Sequence, residues 1–246
     1  VSEISFPTQV ADRYQSFLQE VLAASGQIIH SVHVSGSALT SDFDFRAADI
    51  HSVIVLQQME FGFLKLLAPL GKKYGKKGIA APLIMTPKYI NSSLDVFPIE
   101  FLDLKLLHRT VHGEDLLENL EIKLADLRQQ CERELKSHLI GLRQGYLSAA
   151  GDRKILAEGF LSHTYSRYLP LFRGIIYLLG EEPAIEPLSV LKQLKETTKI
   201  DSDAFEIVFR VRGKRQSLSM DELNNTFTQC YRTLEQLGNL VDEYQN

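Results

Sequence analysis

The stretch Val34–Leu56, VSGSALTSDFDFRAADIHSVIVL, decides how the rest of the 246 residues are read. Ile28, Val32 and Val34 lead into it at even spacing, the period of a half-buried strand. Gly36-Ser37 ends that strand. The glycine permits close backbone approach or an unusual dihedral, and the serine sets a hydroxyl beside exposed backbone N–H groups. Ser41 to Ala48 reads as a connecting loop or short hairpin. Asp49-Ile50-His51 then opens an apolar run to Leu56, continuous enough for a central strand covered on both faces. Strand alternation puts Asp49 and His51 side by side on one face.

A strand ending in Gly-Ser, followed by a strand headed by an acid, resembles the signature of the nucleotidyltransferase superfamily, related to DNA polymerase beta. In that superfamily the second strand opens with D-x-D or D-x-E, whose carboxylates hold metal ions. The resemblance implies an α+β fold: a nucleotidyltransferase-like mixed sheet flanked by helices over residues 1–115, then a helical bundle over 116–246. It maps Gly36 and Ser37 onto the nucleotide triphosphate turn and Asp49 onto the first metal carboxylate, and His51 stands where the second belongs. Superfamily members present a third carboxylate from a later strand. Glu100 is the matching position, in Val96–Leu107 (VFPIEFLDLKLL), where Phe97, Ile99 and Phe101 alternate with it, and Asp103 is the fallback. Asp42 and Asp44 form a D-x-D of their own but lie too early to head the apolar strand. The run SLDVFPIEFLDLK with HGEDLL also looks like bacterial nucleotidyltransferase-domain proteins, and helices after such a domain are similar in arrangement to bacterial antibiotic adenylyltransferases.

Nucleotidyl transfer uses two metal ions bridged by carboxylates, and magnesium wants oxygen ligands. Imidazole cannot bridge two magnesium ions and brings no negative charge. The resemblance therefore implies transfer of a nucleoside monophosphate from an NTP to a small-molecule or protein acceptor, weak or inactive because of His51. Its candidate catalytic residues are Asp49, Glu100 and His51, with Asp49 and Glu100 as ligands of Mg2+ (or Mn2+). The alternative is a catalytically degenerate fold that binds a nucleotide or a partner protein, as a sensor or scaffold. His51 itself could be structural, act as a general base, or select manganese or zinc.

A net charge of -4 and a pI near 6.0 lack the basic face of a dedicated nucleic-acid binder, so nucleic acid is not an expected partner. No apolar run approaches the roughly 20 residues of a membrane span, and VSEISFPTQV lacks the regions of a signal peptide, so a cytoplasmic chain is expected. Cys131 and Cys230 sit on apolar helical stripes and read as buried reduced thiols. Helices are expected over Pro7–Ser25 and Gln57–Tyr74, and again beyond Leu116 on two long stripes, the second kinked or restarted near Pro170. Phe205–Val211 reads as helix or strand, with helix preferred, and Ser219 with Glu222 as the capping box of the last helix. His112 to Asp115 reads as a turn, with Glu114 and Asp115 capping the following helix. Lys72, Lys73, Lys76 and Lys77 form a solvated helix end or a rim that attracts phosphate. The two cysteines show no C-x-x-C spacing, and a dedicated zinc site is not expected.

Overall fold

The computed structural model describes residues 8–44, 48–211 and 218–244, with the side chains of 161–166 and 211 outside that description. Arg46, Arg212, Lys214 and Arg215 thus lie outside the described residues. The chain divides into two compact units, Val1–Leu94 with Phe101–Glu121, and Asp95–Glu100 with Ile122–Asn246.

The first unit is built on a mixed sheet. In order come α1 (Thr8–Ser25), β1 (Ile29–Ser35), a 3-10 turn (Gly36–Leu39), β2 (His51–Leu56), α2 (Phe61–Gly75), β3 (Leu83–Met85), α3 (Pro87–Ser93), α4 (Pro98–Leu106) and β4 (His108–Gly113). The sheet order is β3-β2-β1-β4. β1 runs antiparallel to β2 and β4, and β2 runs parallel to β3. Period 2 sorts β1 into two faces. Val32 and Val34 join Ile50, Ile54 and Leu56 in a core closed by Val10, Tyr14, Phe17 and Val21 of α1 and by Phe63, Leu67 and Tyr74 of α2. Phe17 meets both Tyr14 and Tyr74 edge-on with centroids 5.3 Å apart, which fixes the two helices over the sheet. At the surface the Tyr74 hydroxyl donates to Glu20 at 2.7 Å, and Lys73 pairs with the same carboxylate. The opposite face of β1 carries Ser31, His33 and Ser35, all buried.

Two expectations change here. The strand expected over Val96–Leu107 is instead α4, a helix opened by Pro98, whose fixed φ suits a first helical turn. Phe97, Ile99 and Phe101 alternate over only five residues, with Glu100 the one charged residue between them, and so short a run also fits a helical turn, in which Ile99, Phe101 and Leu102 are all buried. Conversely, HRTVHG, partly read as a turn, is strand β4, paired along β1 from Ser35↔His108 to Ser31↔Gly113. Asp115 caps no helix: its Oδ1 accepts from the backbone N–H of Leu117 and Glu118, and the next helix starts at Leu124.

The second unit is helical: α5 (Leu124–Ala149), α6 (Arg153–Leu178), α7 (Pro187–Thr198), α8 (Asp203–Val211) and α9 (Met220–Glu243). α5 packs on α6 and α9, and α6 on α7. Its interior collects Leu127, Cys131 and Leu135 from α5, Phe172 and Ile175 from α6, Phe205 from α8, and Leu223, Cys230 and Leu234 from α9. Both cysteines are free and buried, and burial pushes the Cys131 thiol up to about 12. Pro170 lies within an unbroken α6, so no restart occurs there. Asp152 caps α6 through Lys154 and Ile155 N–H, and Ser219 and Glu222 form the expected capping box. No helix among the described residues is long and apolar enough to cross a membrane.

Candidate functional site

Strand register brings the motif residues together. In the β1–β2 pair Ser35 lies opposite His51, so the Gly36-Ser37 turn and Asp49 arrive at the same end of the sheet. Gly36 has φ +74, and its N–H donates to the Leu107 carbonyl at 2.9 Å. A Cβ there would meet nothing within 4 Å, so the backbone of the turn faces open space. Thr40 closes the turn: its N–H donates to the Ser37 carbonyl at 3.1 Å. Its hydroxyl lies 2.7 Å from that same carbonyl and 2.7 Å from Asp42 Oδ1, donating to one at a time.

Asp49 and His51 are both exposed, and buried Ile50 separates them. Ile50 is tied on both sides, its N–H to the Gly78 carbonyl at 2.8 Å and its carbonyl to the Ala80 N–H at 3.0 Å. That tie holds the head of β2 against Gly78, itself at φ +76, where a Cβ would stand 3.5 Å from Arg13 Nη1 and 3.7 Å from Asp49 Oδ1.

Glu100 is exposed in the first turn of α4, within the segment that belongs to the helical unit, and accepts from Gln130 Nε2 at 2.7 Å. Gln130, buried, also takes the Ile99 N–H on its Oε1 at 2.8 Å. Glu100 lines a cavity of about 560 Å³ with Glu134, Ser137, His138, Arg167 and Tyr168. Asp103, the fallback, lies in α4 too. The strands that follow β2 read LIM and HRTVHG, so neither carries a carboxylate.

A second group of polar residues gathers on the sheet's other face, and sequence reasoning did not foresee it. His33, His108 and Asp115 each bring one nitrogen or oxygen within 4.8 Å of the others. His33 contacts the Ser31 hydroxyl through Nε2 and the Thr110 hydroxyl through Nδ1, both at 2.8 Å. His108 Nδ1 lies 2.8 Å from the Leu104 carbonyl, and its Nε2 lies 2.9 and 3.0 Å from the two oxygens of Asp115. Burial pushes the Asp115 carboxyl up, but the Thr110 hydroxyl, the His108 ring and the Leu117 N–H together hold it below its ordinary value. Only β1–β4 pairing unites residues 75 positions apart in sequence, as the separation of 33 from 108 shows.

Two histidines make stability depend on pH. Burial, reinforced by His108, lowers His33 to about 4, and burial with Arg167 lowers His138 to about 4. In the unfolded chain both return to the ordinary value near 6.5, so the unfolded state takes up protons first. The stability these neutral rings contribute is complete above about pH 6.5 and is lost as pH falls toward 4. Urea midpoints at pH 7 and pH 5 are expected to fall in that order, and an unchanged midpoint would contradict the depressed values.

An α+β unit whose mixed sheet brings a Gly-Ser turn and an acid-headed strand to one end, followed by a helical unit, has the nucleotidyltransferase fold. The solved structure of spectinomycin adenyltransferase AAD(9) from Enterococcus faecialis, with ATP and spectinomycin, is similar over 91% of this chain and 97% of that one, at 13% identity and a TM-score of 0.52. A nucleotidyltransferase-like protein from Exiguobacterium sibiricum matches over 93% of this chain and 74% of its own, at 10% identity and a TM-score of 0.35. No protein-family model matches the sequence, and neither does any curated protein.

Proposed function

We propose that this chain binds a nucleoside triphosphate, with a divalent ion, at the Gly36-Ser37 turn and Asp49, and transfers the nucleoside monophosphate weakly or not at all. What carries the reading is the sheet's ligand inventory. One carboxylate, Asp49, lies two residues ahead of β2, His51 opens the strand, and β3 and β4 carry no acid. A magnesium ion needs only one or two carboxylates when phosphate oxygens complete its shell, so a single Asp supports binding. Two-metal transfer requires carboxylates that bridge both ions, and an imidazole at position 51 does not supply one. The protein would then act as a cytoplasmic nucleotide-binding sensor or as a scaffold for a partner protein.

A working transferase is the second reading, and one observation favours it. Glu100, Glu134 and Arg167 set charged groups of both signs in the wall of the cavity in the helical unit, which suits a polar small-molecule acceptor. The similar AAD(9) structure holds ATP and spectinomycin, so ATP and a small-molecule acceptor are the substrates that reading would take.

Calorimetric titration of ATP and GTP, with magnesium and then manganese, separates the two. The wild type is expected to bind in a metal-dependent manner without releasing pyrophosphate. Asp49→Asn is expected to weaken binding by about tenfold or more, roughly the 1.4 kcal/mol of one lost charge–metal contact. His51→Asp is expected to tighten metal-dependent binding by a similar factor, because it restores a bridging carboxylate. Pyrophosphate release by the wild type would establish the second reading. No nucleotide binding by either the wild type or His51→Asp would remove the triphosphate site altogether.

A further inference from the structure

We propose that His33, His108 and Asp115 form a binding site for a first-row divalent transition ion of the zinc type, which pins β4 and the loop after it to β1. The β1–β4 register sets His33 opposite Thr110 and Ser35 opposite His108, so the two rings are diagonal neighbours on one face, with centroids 5.8 Å apart. Asp115, two residues past β4, is turned back toward them by its own bonds to the Leu117 and Glu118 N–H groups at 3.1 and 3.2 Å. The result is two imidazoles and one carboxylate, converging to within 4.8 Å.

The arrangement of His108 is what points to a cation. Its Nδ1 faces the carbonyls of Leu104 and Lys105 at 2.8 and 3.2 Å, so Nδ1 carries the hydrogen and donates. That backbone tie is the outer-shell contact that fixes the tautomer of a metal-binding histidine. Nε2 then directs its lone pair at the Asp115 carboxylate, acceptor against acceptor, at 2.9 Å. The contact is attractive only with a positive centre between the two. A proton can serve but engages one ring, whereas a metal ion would also draw on His33, which the strand register sets alongside. His33 can release either hydroxyl contact, since Ser31 and Thr110 can each rotate away.

Donor chemistry selects the ion. Two neutral nitrogens and one carboxylate oxygen suit zinc, cobalt or nickel, with water in a fourth position, and do not suit magnesium. Bonds of about 2.0–2.1 Å place tetrahedral ligands roughly 3.3 Å apart, so the present spread must close by up to about 1.5 Å. His108 Nε2 and Asp115 already lie 2.9 Å apart, so the closure falls on His33, whose ring must turn from its two hydroxyl contacts, with Asp115, 34% exposed on its loop, adjusting to meet it.

The test uses the full chain, stripped with chelator and titrated with cobalt(II) while visible absorption is followed, then challenged with zinc. The wild type is expected to bind one equivalent with the intense absorption of a four-coordinate ion, and zinc should displace it. Asp115→Asn and His108→Gln are each expected to weaken cobalt binding by about tenfold or more. Asp49→Asn, outside the cluster, should keep the absorption, so loss of the nucleotide site and loss of this one are told apart. Should a variant fail to fold, the wild type alone still decides: zinc in excess is expected to raise its thermal midpoint. No absorption, a midpoint unmoved by zinc, or a signal that survives both cluster variants would each overturn the proposal.

Discussion

Gly113→Ala is expected to cost more than about 3 kcal/mol of stability, or to prevent the first unit from folding. Gly113 ends β4 at φ +74, a region that costs an L residue about 1–2 kcal/mol. Space is the larger difficulty. An added Cβ would stand 2.0 Å from the His30 carbonyl oxygen and 2.9 Å from Ser31 Cα, both backbone atoms of β1. Neither can rotate away, so β4 would have to lift from β1. Gly36→Ala is the matched control: φ is again +74, but the new Cβ would touch nothing within 4 Å, so only the dihedral penalty of about 1–2 kcal/mol remains. Urea denaturation of both variants measures the difference. Equal losses would show that the close approach at Gly113 relaxes at little cost.

The second large effect is expected in the helical unit. Phe172 is fully buried in α6, its ring 5.0 Å from Phe205 edge-on and 5.9 Å from Tyr168 in a stacked arrangement. Tyr168 and Phe205 close the triangle at 5.2 Å. These three rings tie α6 to α8, a helix of only nine residues that could not persist alone. Phe172→Ala removes one corner of the triangle and leaves a cavity that flanking aromatics cannot fill, for a loss of about 3–5 kcal/mol. A chain of two compact units need not unfold in one step, so calorimetry is the suitable readout. A loss below about 1 kcal/mol would mean that α8 is held by something other than this cluster.

The parts of the fold that were legible in the sequence are those with local signals. Ser219 and Glu222 announced their capping box, Val10, Tyr14, Phe17 and Val21 their helical face, and Gly36 a turn that does take a positive φ. The apolar run after Asp49 does form β2, which begins at His51. Illegible were the elements whose short patterns fit two periods. Phe97, Ile99 and Phe101 alternate like a strand, yet Pro98, whose fixed φ suits a first helical turn, starts a helix. β4 was obscured by its polar content, because HRTVHG has one aliphatic residue and gains its order from pairing with β1. The same pairing creates the His33–His108–Asp115 group. No spacing rule reaches across it, since the contact is made by strand register and not by chain proximity.

The order β3-β2-β1-β4 leaves the sheet with two borders, and both are poor templates. A passing strand would find three residues to pair with on β3, preceded by Pro82, which has no N–H to offer. On β4 it would reach Gly113, where the left-handed dihedral turns the backbone away and the chain bends into the loop held by Asp115. A border of three residues, as at β3, gives an added strand little to pair with, one of the ways natural sheets discourage strand addition at their edges.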